Sequence, residues 1–96
     1  MNPTAELEEF HAQLVAVDPE KSKEVFTDLF SRGCDLLGLD DREAARTFDT
    51  SVPTVSRWRR GVVVPLVAGV VLRFMREEIE ARIKSTRAAT TNTKAE

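Results

Sequence analysis

"REAARTFDTSVPTVSRWRRG", residues 42–61, decides how the rest of the chain is read. It holds two helical patterns with a break between them. In the first, from about Asp40, Ala44, Ala45 and Phe48 fall on one side, and Asp40 with Glu43 three residues on has the spacing of a capping box. The break is "DTS", residues 49–51, whose side chains bond to their own backbone more readily than they sit inside a helix. In the second, Ser51 is the expected N-cap, Pro53 falls in the first turn where its missing N–H costs nothing, and Gly61 is the stop. Val55 and Trp58, three apart, point one way; Val52, Pro53, Ser56, Arg57 and Arg60 lie on or near the other face.

Outward from this segment the chain also reads as helix. A first helix is expected from about Thr4 to Val17, with Leu7, Phe10, Leu14 and Val17 on one stripe. Asp18 and Pro19 signal a second, with Phe26, Leu29, Phe30, Gly33, Cys34 and Leu37 facing a core and Gly38 ending it. A last helix is expected from about Pro65 to Lys84, with Val67, Val70, Val71 and Phe74 closing the core. Its stripe of Leu72, Met75, Ile79 and Ile83 has two readings: a surface for the same helix of a second copy, or a seat for Leu7, Phe10 and Leu14 of the first helix. The expected fold is all-α, a small bundle of about five helices containing a helix-turn-helix at 41–61, in one domain over 1–84. Residues 85–96 hold no large apolar side chain, so a disordered tail is expected there.

Residues 41–61, followed by "VVVP", resemble the helix-turn-helix of the phage-repressor superfamily (Cro/cI and xenobiotic-response-element proteins). The alanine of the first helix, the serine opening the second, the "TVSRW" core and the closing Arg-Gly carry the likeness; phage activators of the cII type share a related "SRW" segment. The resemblance implies a cytoplasmic, phage- or bacterial-type transcription regulator, such as a repressor, that binds double-stranded DNA as a homodimer and needs no cofactor. It implies that Val52, Pro53, Ser56 and Arg57 face the major groove, the docking mode of such helices. The Arg57 guanidinium matches O6 and N7 of guanine. Thr50, Ser51, Thr54, Arg59 and Arg60 would meet phosphates. Two positions depart from the pattern. Asp49 stands where glycine is usual, and Asp41 puts a carboxylate where a phosphate contact is common, so Arg42 is the substitute there.

Plainer readings stand beside these. Trp58 suits the core better than a base-stacking platform, and Arg59 and Arg60 also suit a helix C-terminus through its dipole. The net charge of −2 is unevenly spread: residues 1–40 hold nine acids and three bases, residues 41–61 three acids and five bases. A coat for nucleic acid held by bulk charge is therefore excluded, but a local basic face is not. A single cysteine forms no internal disulfide, and His11 without a second His or a Cys pair is a poor metal ligand. No run is apolar enough for a membrane, no secretion signal opens the chain, and no catalytic constellation is visible, so an enzyme is not expected. The competing function is a protein-interaction module, an antitoxin or adaptor subunit on the same scaffold, suggested by the acidic N-terminal half and the apolar stripe.

Overall fold

The computed structural model describes residues 3–95, with side chains from Thr4 to Arg87 apart from Pro19. It is all-helical: α1 (Pro3–Val15), a 3₁₀ turn (Pro19–Lys21), α2 (Ser22–Leu37), α3 (Asp41–Thr47), α4 (Val52–Arg60) and α5 (Ala68–Ala95). α1 stops two residues short of Val17, and Val17 packs half-buried just beyond it. Asp18 does not start α2 directly. Its Oδ1 accepts the Glu20 N–H at 3.0 Å and winds a 3₁₀ turn before Ser22, a common prelude to an α-helix.

α2 is the centre of the bundle. All six residues expected on its inner face are buried. Gly38 ends it in the left-handed conformation, φ 70°. The Leu39 N–H reaches the Cys34 carbonyl at 2.9 Å and the Gly38 N–H the Asp35 carbonyl at 3.1 Å, a Schellman close. Arg82 from α5 donates to the Leu37 carbonyl at 3.0 Å, satisfying another of the end carbonyls. α2 packs mainly against α5 and α4, and α1 packs mainly against α5.

α5 departs from expectation on both of its faces and at both of its ends. Leu72, Met75 and Ile79 are buried within the chain and Ile83 is half-buried, so this stripe does not wait for a second copy; α1, through Leu7, Phe10 and Leu14, and α2 cover it. Conversely, Val67, Val70 and Phe74 are exposed, and of the four residues expected to close the core only Val71 does. The two stripes lie about one residue, or 100°, apart on the helix, and periodicity alone favours neither. Gly33 decides. A Cβ there would stand 2.3 Å from Sδ and 2.7 Å from Cε of Met75, so the missing side chain is the notch that takes the thioether. α5 starts at Ala68 rather than Pro65. It runs on through residues 85–95, where a disordered tail was expected, because each residue added to an existing helix gains a hydrogen bond without a new nucleus. Arg87, in that stretch, pairs with Glu8 of α1. His11 Nε2 and Glu80 Oε2 join the same two helices at 2.7 Å.

Cys34 is fully buried, and burial pushes its thiol up to about 11, with the Arg59 guanidinium working against the rise. Native Cys34 will therefore resist thiol reagents at pH 8 and react fully after denaturation; ready labelling of the folded protein would contradict this packing. Gly33→Ala will force Met75 from its notch and cost about 1–3 kcal/mol, read as a lower melting temperature.

Candidate nucleic-acid interface

α3 and α4 are each short and each capped by its own sequence. Asp40 Oδ1 accepts the Glu43 N–H at 2.8 Å at the start of α3. Ser51 Oγ accepts the Thr54 N–H at 3.3 Å and lies 2.8 Å from Thr54 Oγ1 at the start of α4. Gly61 closes α4 at φ 74°, with the Val62 N–H on the Arg57 carbonyl at 3.0 Å. The turn between them repeats the close of α2 with an aspartate in glycine's place. Asp49 has φ 54°, the one positive φ outside glycine among the described residues. The Thr50 N–H reaches the Ala45 carbonyl at 2.8 Å, while the Asp49 N–H stands a long 3.4 Å from the Arg46 carbonyl. Asp tolerates this backbone better than most residues but still at a cost.

The inner faces of the pair close on α2. Ala44, Ala45, Phe48, Val55 and Trp58 are all buried. Trp58 stands perpendicular to both Phe26 and Phe30, with ring centroids 5.7 and 5.5 Å away, and Phe30 meets Phe48 at 5.3 Å. Trp58 is thus a core residue, and the four rings tie the α3–α4 pair to α2.

The outer face of α4 carries Pro53, Ser56, Arg57 and Arg60, with Val52 at its edge and 43% exposed. Pro53, Arg57 and Arg60 are exposed and Ser56 half-buried, and no acid interrupts this stripe. Arg60 Nε donates to the Ser56 carbonyl at 3.4 Å, which lays its stem along the stripe. Thr50 and Thr54 are half-buried and Ser51 exposed; Ser51 and Thr54 already spend hydroxyl capacity on the cap. Arg42 is exposed on α3. Arg46, one turn further, is exposed as well, and sequence reasoning passed over it although the i, i+4 spacing from Arg42 was the available signal. Among the described residues Arg42, Arg46, Arg57 and Arg60 take part in no ion pair.

Arg59, expected on phosphate, is the exception, because carboxylates of the chain itself hold its guanidinium. Its Nη2 donates to Asp35 Oδ1 at 2.6 Å and its Nη1 to Asp41 Oδ1 at 3.4 Å. One guanidinium therefore ties α4 to both α2 and α3. The same bond explains Asp41: its carboxylate is turned to Arg59 and neutralised instead of standing bare on the outer face. Among the described residues, no group of three or more His, Cys, Asp or Glu side chains is arranged to hold a metal ion. No helix among them is long and apolar enough to cross a membrane.

Compared with known protein families, curated proteins and solved structures, the chain matches none of them.

Asp49→Gly will relieve the left-handed strain and stabilise the fold by about 1 kcal/mol, a rise of roughly 4–8 °C in melting temperature. Arg59→Ala will lower stability by about 1 kcal/mol or less, since the pair is partly exposed. An unchanged melting temperature for both would remove the strain and the tie from this description.

Proposed function

We propose that α3, its turn and α4 form a helix-turn-helix, and that the protein is a sequence-specific double-stranded DNA-binding transcription regulator reading the major groove with α4. The observation that supports this most is the division of α4 into two faces. Val55 and Trp58 are spent on the core, and the opposite stripe offers Pro53, Ser56, Arg57 and Arg60 to solvent with no acid among them. A helix is about 10–12 Å across with its side chains, which fits a major groove about 12 Å wide.

Arg57 is the base-reading residue in this proposal, through a bidentate bond to guanine. Val52 and Pro53 offer apolar surface to a thymine methyl. Arg42, Arg46 and Arg60 meet phosphates; Thr50, Ser51 and the first amides of α4 add polar contacts there. Arg59 is left out of the interface. One such helix reads few base pairs, so two copies on one face of a duplex, with half-sites about one turn apart, complete a usable site. A regulator of this kind works in the cytoplasm of a bacterium or of a phage's host.

The other reading is an interaction module, an antitoxin or adaptor, on the same scaffold. The apolar side chains left exposed between α4 and α5 favour it. Salt separates the two, because each phosphate contact adds about 0.9 to the slope of log K against log salt, and apolar docking adds none.

Selection of bound duplexes followed by titration tests the proposal. Arg57→Ala will cost about 1–3 kcal/mol on the selected site and relax preference at one base pair. Arg42→Ala, Arg46→Ala and Arg60→Ala will each lower the salt slope by about 1 without changing preference, whereas Arg59→Ala will leave the slope unchanged. Absence of any selected sequence at low salt would hand the fold to the interaction module.

A further inference from the structure

The segment from Val62 to Val67 leaves the cap of α4 and crosses to α5 with Val64 packed half-buried on the core and Val62, Val63, Leu66 and Val67 exposed. Leu66 is 87% exposed, Val62 64% and Val67 58%; Val70 and Phe74 continue the exposed stripe up α5. Six large apolar side chains over 62–74 are left in solvent. Beside them runs a groove of about 540 Å³ between the end of α1 and the start of α5. Leu14, Val15, Val17, Val67 and Val70 give it apolar walls, and Arg73 and Arg76 line it as well.

We infer that a second copy of this chain docks on this face by a two-fold, with Leu66 of each copy seated in the groove of the other. Three observations favour a second copy as the occupant. The projecting side chain and the hollow are neighbours on one surface, since Leu66 adjoins Val67 of the groove wall, so a single two-fold fills both hollows at once, as an isologous interface requires. Six exposed large apolar side chains within thirteen residues are more than the scattered single hydrophobics of an ordinary surface, as a protein-docking face requires. Arg73 and Glu77, one turn apart on α5 and both exposed, border the stripe with opposite charges, so an antiparallel pairing sets Arg73 of one copy toward Glu77 of the other. The stripe buried against α1 has no part in it. The dimer stands on this apolar face; only its use, holding two α4 helices for one duplex, rests on the proposed function.

Sedimentation velocity on the full chain without DNA, over roughly 1–300 µM, tests the inference apart from the DNA reading. The wild type will shift from monomer to dimer across that range. Leu66→Lys and Val15→Asp will each weaken self-association at least tenfold, and mixing the two variants will restore dimer, because the introduced ammonium of one chain then meets the introduced carboxylate of the other. Both sites are exposed, Val15 at 55%, so the melting temperature will hold; Leu66→Ser checks the direction without a charge. A wild type that stays monomeric, or a dimer indifferent to both variants, overturns the inference. A monomer whose melting temperature rises with a medium-chain carboxylate overturns it too, and assigns the groove to a small apolar acid.

Discussion

The outer face of α4 depends on where Trp58 goes. Its indole stands perpendicular to Phe26 and Phe30, which are themselves stacked at 5.2 Å. Edge-on contacts of this kind add about 0.5–1.5 kcal/mol each beyond burial, and they are directional. They fix the rotation of α4 about its own axis. A turn of one residue, about 100°, would drive Arg57 or Arg59 toward the rings and leave a charge without water or partner. The exposed stripe is thus the other side of an aromatic packing solution.

Charge is arranged around that stripe in the same economical way. The chain is acidic overall, yet two acids that approach α4, Asp35 and Asp41, are held by Arg59. Three arginines in four positions look alike in sequence and differ in three dimensions: Arg57 and Arg60 share the outer stripe, Arg59 is turned back to the body. The four arginines outside ion pairs on α3 and α4 leave a local positive face on a negative protein, which is where association with a polyanion would be steered.

Much of the fold was legible from residue spacing. The inner face of α2, the caps at Asp40 and Ser51, the stop at Gly61 and the burial of Val55 and Trp58 follow from local chemistry that nothing distant overrides. The turn was marked too, by Asp49 standing where glycine is usual, and its positive φ is the backbone that glycine would have taken. The two features that spacing did not give, the inner face of α5 and the partners of Arg59, share one cause. α5 carries two overlapping apolar stripes, and the choice between them is made by a notch at Gly33 in another helix. The ion pairs of Arg59 could not be read from the sequence because its partners, Asp35 and Asp41, come from two other elements. Contacts between distant residues leave no periodic trace. Arg46 differs: its i, i+4 spacing from Arg42 is a local signal, overshadowed by the basic run beside the tryptophan.

The central claim is that the outer face of α4 meets a duplex. Amide shift mapping of ¹⁵N-labelled protein titrated with a selected duplex tests it most directly. The account predicts the largest shifts at residues 50–57 and at Arg42, Arg46 and Arg60, with the Trp58 indole N–H nearly still. Shifts centred on α1 or on 62–74, or none at low salt, would contradict it.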